Sequence, residues 1–215
     1  MTAPDPIEPA PGPRWSRKRL TDMLLDCYGP AERGGVDVAA VADYAGVTES
    51  TVRRWISGGQ REARRLTPAP AERIAQLQRG PDLVEQANRQ QYDYAVTARA
   101  AVREDRGILP AWHKQGWLNE HTVLIVAINN KPWHQVVVTK ATPRSLAELR
   151  RRATIVDSIV VPTRFDGQLL AHLVMARQWN WRVHPLAEQL AIGRTQVWMQ
   201  DAPAVDLAAL ARKLK

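Results

Sequence analysis

Residues 38–57, VAAVADYAGVTESTVRRWIS, decide how this chain is read. Val38, Val41, Ala42 and Ala45 recur at the three- and four-residue spacing of one helical face, and Val47, Val52, Trp55 and Ile56 mark the buried side of another helix. Between them stands Gly46, the residue type that takes a left-handed backbone without steric cost. Thr48 is placed to cap the second helix. A helix-turn-helix needs these parts: small residues where the helices cross, a turn that tolerates positive φ, and apolar anchors that fix one helix on the other.

Outward from that core, Leu20, Met23, Leu24 and Cys27 predict a preceding helix that Gly29-Pro30 stops, and residues 71–77 predict a following one. The run Val47-Thr-Glu-Ser-Thr-Val-Arg-Arg-Trp-Ile-Ser-Gly58, with the trailing Ala71-Glu-Arg-Ile-Ala-Gln-Leu77, resembles the lambda-repressor and Cro-like helix-turn-helix family. The resemblance covers about residues 16–80, and the loop at 58–70, with Gly58-Gly59 and two prolines, is longer than the family pattern. It implies double-stranded DNA as the partner, with the helix at 48–57 in the major groove. Its outward residues are Thr48, Glu49, Ser50, Arg53, Arg54 and Ser57. Glu49 would accept from a cytosine amino group and Arg54 would fork onto a guanine edge. Arg61, Arg64 and Arg65 would lie along phosphates.

The remaining chain predicts a mainly α protein with a small α+β middle unit. Residues 1–15, rich in proline and acid, read as a flexible lead, 16–80 as the DNA-binding domain and 81–106 as a linker helix. Residues 107–162 read as the α+β domain: apolar runs at 121–128 and 133–139 form a hairpin around Asn129-Asn130-Lys131-Pro132. A helix capped by Thr142-Pro143 and a third strand at 153–161 follow. The continuous apolar run at 123–128 requires cover on both faces. This unit would either set the geometry between DNA-reading parts or mediate self-association, and residues 163–215 read as a C-terminal helical domain.

Within that last part, Leu186–Trp198 aligns under Val41–Arg53, placing Ala187 under Ala42, Ile192 under Val47 and Val197 under Val52. A second, weaker helix-turn-helix is thus expected at 183–200, with Ala191 where the turn glycine should stand and Gln200 in place of Trp55. Its outward candidates are Gly193, Arg194, Thr195, Gln196 and Trp198.

Composition narrows the classes further. The chain has 215 residues, 45% of them hydrophobic, enough for a real core, and no apolar run approaching the roughly 20 residues of a membrane span. No signal peptide is legible, and the single cysteine, Cys27, closes no internal disulfide, so a cytoplasmic protein is expected. Thirty Lys and Arg against 22 Asp and Glu suit a polyanionic partner, and residues 121–163 are the most one-sided stretch, with 6 basic and 2 acidic side chains. Phosphate-loop, dinucleotide and nucleophile-elbow motifs are absent, and the five histidines show no metal-ligand spacing. Asp157 and Asp166 offer a poor nuclease pair. No catalytic, metal or cofactor site is therefore expected. The reading is a transcriptional regulator, a repressor of the phage or mobile-element type. A plasmid replication or partition protein and an accessory to a DNA-acting enzyme are its alternatives.

Overall fold

Ser16 opens the first helix, α1 (Arg17–Tyr28), by accepting the Arg19 N–H on its hydroxyl, and Gly29 closes it by donating to the Leu25 carbonyl. The computed structural model describes residues 7–57, 74, 77, 82–140 and 142–214. Its contacts divide the chain into two units. A helical unit takes residues 11–81 and 180–195, and a sheet unit takes 1–10, 82–179 and 196–215.

In the helical unit, α1 is followed by α2 (Val38–Ala45) and α3 (Glu49–Ser57). The Asp37 carboxylate caps α2 by accepting the Ala40 N–H at 3.0 Å. α2 and α3 pack on each other and on α1. Leu20, Leu24, Cys27, Val41, Ala45, Val52 and Trp55 are buried there, on the apolar stripes that the helical period predicts. Ile74 and Leu77, from the expected helix at 71–77, are helical and buried, while the loop at 58–70 lies outside the described residues.

In the sheet unit, β1 (His121–Ile128), β2 (Trp133–Thr139) and β3 (Ala153–Val161) form antiparallel pairs, with β1 central. A short strand, Val197–Met199, joins the outer side of β2, giving the order β3, β1, β2, then this strand. β1 is covered on both faces, as its apolar run requires. One face meets Leu149 of the helix Pro143–Arg152, and the other meets the helix Arg164–Arg177, whose Gly167 lies so close that a Cβ there would stand 2.7 Å from Val138 Cγ1. We call these helices α6 and α7, after α4 (Asp82–Arg103) and α5 (Pro110–Lys114). α4 packs along α7, which also carries the last helix, α8 (Leu207–Arg212). Trp112, Phe165 and Ala98 form a buried cluster where α4, α5 and α7 meet. Arg99 bridges α4 to Asp166 at 2.6 Å and also donates to the Leu214 carbonyl.

Four expectations are corrected. The protein is mixed α and β rather than mainly α, because its C-terminal part contributes Val197–Met199 to the sheet. Residues 163–215 are not a separate helical domain, and the helix expected as a linker at 81–106 is α4, an integral wall of the sheet unit. The lead at 1–15 is tied down where it is described. Ala10 is fully buried and donates to the Arg177 carbonyl at 2.7 Å, Arg177 donates to the Glu8 carbonyl, and Trp181 donates to the Pro11 carbonyl.

Candidate nucleic-acid interface

The turn between α2 and α3 has the predicted geometry. Gly46 sits at φ 62°, ψ 39° and donates to the carbonyls of Ala42 and Asp43, and the Val47 N–H returns to Ala42 at 3.0 Å. A left-handed residue here closes α2 and lets the chain turn through residues 46–48 to start α3 on the Thr48 carbonyl, which accepts from Thr51 and Val52. Val52 and Trp55, three residues apart, fix the inner face of α3. The remaining positions are thereby forced outward. Thr48, Glu49, Ser50, Arg53, Arg54 and Ser57 are all exposed, so every outward position expected of this helix lies on one solvent face.

Their chemistry differs from residue to residue. Glu49 and Arg53, four apart on the helix, form an ion pair at 2.9 Å, and Ser57 donates to the Arg53 carbonyl at 2.5 Å. Thr48 shares its hydroxyl with Ser50 and Thr51 at 2.9 and 3.0 Å. Arg54 takes no ion pair among the described residues, so its planar fork is available. The Glu49–Arg53 pair was legible from the spacing alone, although the sequence reading assigned the two residues separately. Arg61, Arg64 and Arg65 lie outside the described residues.

The second reader expected at 183–200 does not form. Arg182–Val183 is a two-residue strand, residues 187–189 make one turn closed by the Leu190 N–H on the Leu186 carbonyl, and Val197–Met199 is a strand. Pro185, Gly193 at φ 72° and the β-branched Val197 interrupt the helical period, and Trp198 takes its place opposite His134 on β2. Trp198 is buried instead of outward, and Arg194, Thr195 and Gln196 are half-buried in a turn. They form no recognition face.

Residues 180–195 brace α1 of the helical unit instead. The Leu186 N–H donates to the Cys27 carbonyl at 3.0 Å, at the end of α1, and Arg19 lies 5.1 Å from the centre of the Trp181 ring. Tyr28 and Tyr44 meet edge to face at 5.3 Å. Burial, reinforced by neighbouring Cys27, pushes both hydroxyls well above the ordinary tyrosine value, so they remain neutral. Arg194 opposes that shift at Tyr44. Burial, then Arg194 and Arg182, push His184 down to about 4, leaving a neutral imidazole at pH 7. This backing was not legible in the sequence because the residues concerned are separated by 150 to 162 positions.

The two carboxylates considered as a nuclease pair are already engaged. Asp157 accepts from Ser158 N at 2.7 Å and from Leu207 N at 3.4 Å, and Asp166 pairs with Arg99 and the Thr163 hydroxyl. Among the described residues, no group of three or more His, Cys, Asp and Glu side chains is gathered to hold a metal ion, and no helix is long and apolar enough to cross a membrane.

No family model, no curated protein and no solved structure matches the chain.

Proposed function

We propose that the protein is a sequence-specific double-stranded DNA-binding transcriptional regulator, a repressor of the phage or mobile-element type, that reads the major groove with α3. The observation that carries this reading is the exposed row Thr48, Glu49, Ser50, Arg53, Arg54 and Ser57 on a helix locked from behind by Val52 and Trp55 and aimed by the Gly46 turn. A helix with its side chains fits a major groove about 12 Å wide, and short polar residues at its N-terminal end let it approach base edges closely. Arg54 is the guanine-reading residue. Arg53, oriented by Glu49, presents its remaining donors to phosphate, and Glu49 is the cytosine reader only where that pair opens. Net charge of +8 favours encounter with any duplex, while the α3 side chains select among duplexes.

The test is selection of bound sites from a random duplex pool with the full-length protein, followed by affinity measurements on the enriched site and on random DNA. Arg54→Ala is expected to relax one base position at a cost of about 1–3 kcal/mol on the enriched site while leaving random DNA nearly unaffected. No enriched site, or equal loss on both DNAs, overturns the assignment.

A further inference from the structure

α6 ends in Arg150-Arg151-Arg152 and runs into β3 at Ala153 without a connecting loop. Arginines at a helix C-terminus ordinarily answer two needs: they complement the helix dipole, and they donate to the last carbonyls. Here the second need is largely met already. Of the last four carbonyls of α6, Leu149 accepts from Ala153 N, Arg151 accepts from the Asn129 side-chain amide at 3.3 Å, and Arg152 accepts from Asn129 N at 3.0 Å. The guanidinium groups are not needed there. They also lack ionic partners: neither Arg150, Arg151 nor Arg152 forms an ion pair among the described residues, although Glu148 stands on the same helix. Arg150 and Arg151 are exposed, and Arg152 is half-buried.

The same bonds fix where these charges sit. Asn129 belongs to the β1–β2 turn, in which Asn130 is left-handed at φ 58° and Lys131 extends over the Trp133 ring at 5.2 Å. Asn129 therefore brings Lys131 and the three arginines to one corner of the sheet unit. Residues 121–163, which contain this corner, hold 6 basic and 2 acidic side chains, and one of the acids, Asp157, is occupied by the Ser158 and Leu207 N–H groups. Guanidinium forks that take no ion pair among the described residues are suited to phosphodiester oxygens, onto which each fork can place two parallel hydrogen bonds.

We propose that Arg150, Arg151 and Arg152 form a second, sequence-independent hold on the phosphate backbone of duplex DNA. It rests on the DNA-binding reading above and adds the sheet unit to it, as the source of affinity rather than of specificity. Each phosphate neutralised releases condensed counterions, so log K falls more steeply with log salt by about 0.9 per contact.

The experiment measures binding of full-length protein to a random-sequence duplex across a salt series, for wild type, the triple variant Arg150→Gln/Arg151→Gln/Arg152→Gln, and Arg151→Gln alone. The triple variant is expected to reduce the salt slope by about 2–3 and the single variant by about 1. Arg151 is exposed, so the single variant remains informative if thermal melting shows that the triple one is misfolded. An unchanged slope in folded variants, with wild type still binding duplex, overturns the basic corner alone. Wild type that binds no duplex even at low salt overturns the DNA-binding reading itself, and this proposal with it. Loss of binding to phosphatidylserine vesicles with duplex binding intact assigns the corner to an anionic membrane surface and also overturns the proposal.

Discussion

Residues 41–53 and 186–198 carry the same pattern of small and apolar residues, yet the first folds as two helices around a turn and the second as one turn followed by a strand. The difference lies in what each segment finds to pack against. In the first, Gly46 supplies the left-handed hinge and Trp55 the large anchor that joins α3 to its neighbours. In the second, Ala191 and Gln200 stand in those places, and Val197–Met199 pairs with Trp133–Gln135 on β2. A period of three to four residues describes an apolar face without saying which partner will cover it. Where backbone partners on a strand are on offer, β-branched and aromatic side chains settle there.

That comparison breaks most visibly at its tryptophans. Trp55→Ala is expected to cost about 3–5 kcal/mol and to remove amide exchange protection from α1–α3 while β1–β3 stay protected. Trp198→Ala, buried against His134 at a ring separation of 5.8 Å, should cost a similar amount with the opposite pattern of protection. If both variants lose protection over the whole chain, the two segments are not separately anchored.

Acid probes the second segment. His184, held down at about 4 from the ordinary 6.5, stays neutral in the folded chain while the unfolded chain takes up a proton as pH falls below 6.5. The stability it contributes is complete above pH 6.5 and is lost progressively between 6.5 and 4. Melting temperature should therefore fall by several degrees more in wild type than in His184→Gln when pH is lowered from 7.5 to 4.5. Parallel pH profiles would remove His184 from the buried backing of the reader.

Smaller effects sharpen the contrast at the turn. Gly46→Ala meets no neighbouring atom within 4 Å, so its expected cost of about 1–2 kcal/mol is purely that of a Cβ in left-handed backbone. Ala191→Gly should change stability by less than about 0.5 kcal/mol, since no turn of that kind forms there. Asp37→Ala, which removes the α2 cap, should cost about 1 kcal/mol. Denaturant midpoints at constant slope measure all three, and a Gly46→Ala variant as stable as wild type would contradict the strain argument.

Elements whose signals are local were legible in the sequence: the Thr142 cap, the Gly46 turn and the hairpin at 129–132. Candidate residues on α3 were legible for the same reason, because buried Val52 and Trp55 dictate which neighbours face out. What escaped was non-local. Nothing near Val197 announces that β2, some sixty residues earlier, offers an open edge, and nothing near Ala10 announces the Arg177 carbonyl that takes its N–H. The pinning of α6 by Asn129 likewise depends on the pairing of strands β1 and β3, a register that composition does not reveal.

The chain threads out of the helical unit after residue 81, builds most of the sheet unit, and comes back at residue 180 before leaving again. During synthesis α1–α3 are therefore made about 130 residues before the Leu186 whose N–H reaches Cys27. A fragment ending near residue 80 would be cut off from that support, whereas a nascent chain acquires it only once residue 186 has been made. The packing of α1–α3 is in this way completed only after most of the sheet unit has been made.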